Sequence, residues 1–90
     1  MTLTQLKIFI TVAQVGSVTK AAEILGMTQS AASAAIASLE NIYQVKLFER
    51  VGRSIELSET GQLFLPEAQN TLSSAMAAAR SLRALSGETH

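Results

Sequence analysis

Eight residues, VTKAAEIL, lie between two stop signals, and this punctuation limits the possible folds more than any other feature of the chain. Gly16 precedes them and Gly26 follows, each able to supply the left-handed conformation at which helices commonly end. Ser17 and Thr28 stand where their hydroxyls can accept a backbone N–H left orphaned by the next helix. The expected order is a helix ending at Gly16, a short helix over "VTKAAEIL", and a third helix opening at Gln29. Two capped helices joined by a three-residue turn containing glycine describe a helix-turn-helix. Short αα-corners with no special role give the same signal.

The flanks agree with this frame. From Thr4 to about Gln14, Leu6, Phe9, Ile10 and Ala13 recur at helical spacing, with Leu3 just before and Val12 on the flank. From Gln29 to about Tyr43, Ala32, Ile36, Leu39 and Tyr43 form an apolar line spaced four, three and four. The opposite face shows Gln29, Ser30, Ser33, Ala34 and Ala37, with little bulk and no Lys or Arg. In "VKLFERVGRSIELSETG", Ser54, Glu56 and Ser58 alternate with Ile55 and Leu57, which argues for a strand. A short strand near Leu47 to Arg50 can pair with Ser54 to Leu57 across Val51–Gly52–Arg53, giving a hairpin wing with arginines near its tip.

Ser58 is expected to cap a last helix running to about Leu85. Its apolar positions Leu65, Ala68, Leu72, Ala75, Ala79 and Leu82 are spaced three, four, three, four, three. That is a heptad-like seam, broadened by Met76 and Leu85. Pro66 either begins this helix or bends it. The fold expected is mainly α: a winged helix-turn-helix of three helices plus a two-stranded β wing over residues 1–58. A linker and dimerisation helix follows over 59–85, then a polar, disordered tail over 86–90.

Ninety residues make one small domain, too small for a large catalytic cleft. There is no Cys, and the one His is terminal, at His90. No nucleophile–base pair, metal cluster or phosphate loop is visible. No catalytic residue, metal or cofactor is therefore assigned, and no enzyme is expected. The longest apolar runs fall far short of the ~20 residues a membrane span requires. "MTLTQLK" lacks a basic region followed by an apolar one, so no export signal is read and the expected compartment is the cytoplasm. The formal net charge is zero, which counts against a broadly basic nucleic-acid surface. Distribution matters more: Lys46, Arg50 and Arg53 fall close together, with Glu49 among them, and Arg80 and Arg83 lie far along the chain.

The pieces "GSVTKAAEILGMTQSAAS", "LE" at Leu39–Glu40, "LFER" at Leu47 to Arg50 and "LSETG" at Leu57 to Gly61, in this order, resemble the N-terminal DNA-binding region of LysR-type transcriptional regulators. The resemblance covers nearly the whole chain. It implies a winged helix-turn-helix, a long linker helix that pairs across a dimer interface, and Pro66 inside that helix. It further implies a C-terminal effector-binding domain of periplasmic-binding-protein type, which this chain does not contain, so a fragment or excised domain is expected.

On this reading the third helix enters the major groove of double-stranded DNA with its N-terminal residues toward base edges. Gln29 can contact adenine bidentately, Ser30 and Ser33 can bond base edges or phosphates, and Ala34 and Ala37 can sit against thymine methyls. Thr28 and the helix N-terminal N–H groups suit a phosphate. Positive charge must then come from Lys20, Arg50 and Arg53, the last along a minor groove. Many family members carry a basic residue where Ala34 stands and often a polar one at Ala35, so the expectation here is phosphate anchoring that is weaker or shifted to the wing, with fewer direct base contacts and more readout of DNA shape. The linker seam of Leu65, Ala68, Leu72, Ala75, Met76, Ala79 and Leu82 is assigned to a homodimer, whose twofold symmetry predicts a palindromic operator.

Blander readings accompany each assignment. The Gln29, Ser30, Ser33 face can be an ordinary solvated one, Arg50 can pair with Glu49 or Glu56, Lys20 can be a surface lysine, and the seam can pack on its own domain. The alternative function is a helical protein-interaction module without DNA binding, for which the zero net charge is the best support.

Overall fold

Hydroxyl groups start all four helices. Thr2 Oγ1 accepts from the Gln5 N–H at 3.0 Å while the Gln5 side chain accepts from the Thr2 N–H at 2.9 Å, a reciprocal capping box. Ser17 Oγ accepts from Lys20 N, Thr28 Oγ1 from Ala31 N and Ser58 Oγ from Gly61 N. The computed structural model describes residues 1–87. Its elements are α1 (Leu3–Val15), α2 (Val18–Leu25), α3 (Gln29–Tyr43), β1 (Phe48–Val51), β2 (Ser54–Leu57) and α4 (Glu59–Gly87). The expected winged helix-turn-helix with a long following helix is the fold observed. Gly26 ends α2 at φ 69°, a left-handed conformation in which its backbone N–H reaches back to the carbonyls of Ala22 and Glu23.

Helix α1 is the hub, because α2, α3 and α4 all pack on it. That explains why Ile8 is buried together with Leu6, Phe9, Ile10 and Val12, although one amphipathic stripe would not include it. Phe9 is fully buried, with ring centroids 5.4 Å from Phe48 on β1 and 5.2 Å from Phe64 on α4. One side chain thereby ties the wing and the long helix to the centre, in the tilted ring geometry aromatic pairs prefer.

The wing is attached by polar contacts. The Leu47 N–H donates to Glu40 Oε2 at 2.7 Å, Ser58 N–H to the Leu47 carbonyl at 2.9 Å, and buried Ser58 Oγ–H to the Lys46 carbonyl at 2.6 Å. The antiparallel register pairs Phe48 with Leu57, Glu49 with Glu56, Arg50 with Ile55 and Val51 with Ser54. Gly61 lies so close to this junction that an added β-carbon would overlap the Leu47 carbonyl oxygen.

Several expectations need correction. Helix α1 begins one residue earlier than expected because Thr2, not a later residue, is the cap, and Leu3 is exposed. Strand β1 begins at Phe48 rather than Leu47. Tyr43 leaves the buried line of α3 and is 51% exposed at the helix end. Pro66 lies within a continuous α4; it and Gln62, one turn back, are both exposed, so water can take the carbonyl that proline leaves without a donor. Ser86 and Gly87, expected in the tail, are helical, and residues 88–90 of that tail lie outside the described residues.

The seam of α4 divides. Ala68, expected at a partner interface, is instead 1% exposed within the chain's own core, where Leu65 and Leu72 also pack. Past Ala75, which is half-buried, every described residue of α4 is exposed, including Met76, Ala79 and Leu82. A helix of 29 residues at 1.5 Å per residue is about 43 Å long, and the molecule accordingly measures 54 × 25 × 20 Å.

Candidate nucleic-acid interface

Helix α3 turns Ala32, Ile36 and Leu39 into the core. At 100° per residue, the face turned away from the core carries Ser30, Ser33, Ala34, Ala37 and Asn41, all exposed, and Gln29, in the first turn and nearer the core side, is exposed as well. The Thr28 hydroxyl takes the Ala31 N–H at 3.1 Å, which leaves the first N–H groups of the helix, at Gln29 and Ser30, for an outside acceptor.

The hairpin adds charge beside this face. Side chains alternate across a strand, so Arg50 shares a face with buried Phe48 and its pair partner Ile55. Glu49 and Glu56, directly opposed in the register, lie on the other face. The wing is therefore cationic toward the helices and acidic away from them, which removes the expected alternative of a cross-strand Arg50–Glu56 pair. Arg53 is exposed in the turn after Gly52.

These parts meet in one open cleft of about 190 Å³, lined by Gln29 and Ser33 from α3, Arg50, Arg53 and Ile55 from the wing, and Gly16, Ser17, Val18 and Thr19 at the start of α2. Of the sequence-derived candidates, the structure brings Gln29, Ser33, Arg50 and Arg53 together. Thr28, Ser30 and Ala34 are exposed beside the cleft, and Lys20 is exposed on α2, outside its lining. The wall made by Ser17, Val18 and Thr19 escaped the sequence reading, in which Ser17 was only a cap. The available signal was that a capped helix start also presents its first N–H groups outward. Asn41 continues the exposed face of α3 three turns along, outside the lining of the cleft.

A second cleft, about 220 Å³ and apolar, lies on another side, among Met1, Leu39, Tyr43, Val45, Leu47, Thr60 and Phe64. Among the described residues, no group of three His, Cys, Asp or Glu side chains could hold a metal, and no helix is long and apolar enough to cross a membrane.

Residues 3–62 match the family described as "bacterial regulatory helix-turn-helix protein, lysR family". An HTH-type transcriptional regulator of Azotobacter vinelandii, from the ibpB-leuC intergenic region, is 44% identical over 88 residues, covering 98% of this chain and 61% of that protein. The HTH-type transcriptional regulator YeiE of Escherichia coli K12 is 42% identical over 76 residues, covering 84% of this chain and 26% of YeiE. Among solved structures, the CbnR_DBD–DNA complex superposes with a TM-score of 0.86 at 36% identity, covering 96% of this chain and 99% of that one. The chain thus spans 61% of the first of these two regulators and 26% of the second. With the fold, the cleft and these likenesses in agreement, the chain belongs to the lysR family of bacterial regulatory helix-turn-helix proteins.

Proposed function

We propose that the chain is the DNA-binding part of a LysR-type transcriptional regulator and binds double-stranded DNA sequence-specifically, as a homodimer, on a palindromic operator. The observation that carries this reading is the cleft in which Gln29 and Ser33 of α3 face Arg50 and Arg53 of the wing. An α-helix fits the major groove, and α3 arrives there with polar, small side chains. The cations it lacks stand on the wing, where they can reach phosphates or an adjacent minor groove. Gln29 reads adenine, Ser30, Ser33 and Thr28 bond base edges or phosphates, Ala34 abuts the groove floor, and Lys20 adds a peripheral phosphate contact. The zero net charge is met by segregation, since the acidic pair Glu49 and Glu56 faces away.

The exposed end of α4 pairs with a second copy. Met76, Ala79, Leu82 and Leu85 continue the face that Leu65, Leu72 and Ala75 turn partly toward the chain's own body. Along α4 the described acids, Glu59 and Glu67, precede the bases, Arg80 and Arg83. The remainder of the longer protein supplies an effector-binding domain, and the compartment is the cytoplasm.

Fluorescence anisotropy on an inverted-repeat duplex, repeated at several salt concentrations, tests the reading. Binding that weakens steeply with salt is expected. Absence of binding at low salt, with dimerisation retained, would favour the protein-interaction module instead.

A further inference from the structure

We propose that α3 reads the C5-methyl group of thymine, through Ala34 and Ala37, beside an adenine contact from Gln29; this rests on the DNA-binding reading above. The Arg50 and Arg53 cleft fixes which side of α3 turns toward the duplex, because Gln29 and Ser33 form part of its lining. Helical geometry carries that row of four-residue steps on from Gln29 and Ser33 to Ala37 and places Ser30 and Ala34 in the row beside it. Ala34 and Ala37 are both exposed, while Ala32, Ile36 and Leu39 face the core. The outward β-carbons of Ala34 and Ala37 therefore have no partner in their own domain.

The chemistry of this face is selective by what it offers. Guanine is most often recognised by a bidentate Arg or Lys on its O6 and N7, and α3 contains neither residue. Gln29 carries the amide that matches adenine N6 and N7, and an alanine methyl matches the thymine methyl, both of them major-groove features of an A·T pair. Serine hydroxyls serve any base. Because Ser30, Ser33, Ala34 and Ala37 extend so little beyond the backbone, α3 can approach the groove floor closely enough for methyl–methyl contact. The half-site core is then A·T, and the distinguishing group is a single carbon atom that uracil lacks.

The experiment leaves the protein unaltered in its first arm. Duplexes are selected from a random pool with the full chain, and the tightest is resynthesised with deoxyuridine replacing each thymidine in turn. Binding is read by anisotropy at one salt concentration. The expected result is a loss of roughly fourfold at each methyl that is buried, confined to one or two thymines per half-site. In the second arm, the penalty at one of those thymines disappears in Ala34→Gly and at another in Ala37→Gly, each shown to be folded by circular dichroism. Ala34→Ser and Ala37→Ser replace them where glycine unfolds the helix. Equal affinity for the thymidine and deoxyuridine duplexes overturns the proposal, as does a selected core of G·C pairs. Enrichment of no duplex at low salt would instead remove the DNA-binding reading itself, and this inference with it.

Discussion

Replacing Gly61 with Ala sets two physical effects against each other. Within a helix, Ala is favoured over Gly by about 1 kcal/mol, so propensity alone predicts a more stable protein. The structure predicts the reverse. A β-carbon on Gly61 would overlap the Leu47 carbonyl oxygen and lie 2.9 Å from Leu57 Cδ2 and 3.1 Å from the Leu47 carbonyl carbon. The obstructing group is backbone, held by the Ser58 N–H at 2.9 Å, and cannot rotate away. Helix α4 must lift by on the order of 1 Å to restore van der Waals separation. That movement weakens the two hydrogen bonds of Ser58 to Leu47 and Lys46, each worth about 1 kcal/mol net. Strain from overpacking adds about 1–3 kcal/mol. After the gain in propensity is subtracted, the net loss is about 2–4 kcal/mol. For a domain of this size each kcal/mol moves Tm by about 4–8 °C, so a fall of roughly 8–32 °C is expected. Thermal and urea unfolding by circular dichroism, at one fixed protein concentration because association shifts Tm, measures it. A variant as stable as the parent, or more so, would show that the junction yields easily and refute the argument.

The other predictions concern charge, specificity and assembly. Arg53→Ala should weaken binding to all duplexes alike and reduce the salt slope by about one, whereas Gln29→Ala should relax preference at one base position; anisotropy against a panel of single-base variants separates the two. Glu40→Ala removes the acceptor of the partly buried Leu47 N–H and should cost about 1.5–3 kcal/mol, measured by urea denaturation. Leu82→Glu places a charge on the exposed end of α4, so sedimentation should show a shift toward monomer while far-ultraviolet dichroism stays unchanged. Glu56→Lys relieves the opposed carboxylates of the wing and should raise stability by roughly 0.2–1 kcal/mol, seen as an increased urea midpoint.

What could be read from the chain beforehand was local. As caps, Ser17, Thr28 and Ser58 each take an N–H three residues ahead, and Gly16 and Gly26 act on their own backbone, so spacing alone placed the helices. The period-two alternation from Ser54 to Leu57 likewise placed β2, whereas the facing of Arg50 away from Glu56 follows only from the strand register. What escaped depends on neighbours distant in sequence. Ile8 is buried because three helices surround α1, and Tyr43 is exposed because it lines an open cleft at the end of α3 that no other described part of the chain fills. Ala68 belongs to the core because α4 lies on α1 before leaving it, a division that an uninterrupted heptad pattern conceals. The close approach at Gly61 gives no periodic signal at all. For the candidate interface, residue types pointed to Gln29, Ser33, Arg50 and Arg53, but only the folded chain put them in one cleft with the start of α2.

Helix α4 is anchored in its early turns and exposed to Gly87 beyond Ala75, and that asymmetry has mechanical meaning. Its early turns are fastened to Phe9 through Phe64 and to the centre through Ala68, so the reading head cannot swivel independently of the shaft. In the dimer proposed above, two such shafts joined along their exposed ends would form a caliper whose jaws are the two heads. The gap between the jaws is then dictated by how the shafts cross. A rotation of a few degrees at the joint, magnified along a rigid rod, would carry the heads out of step with the turns of the duplex.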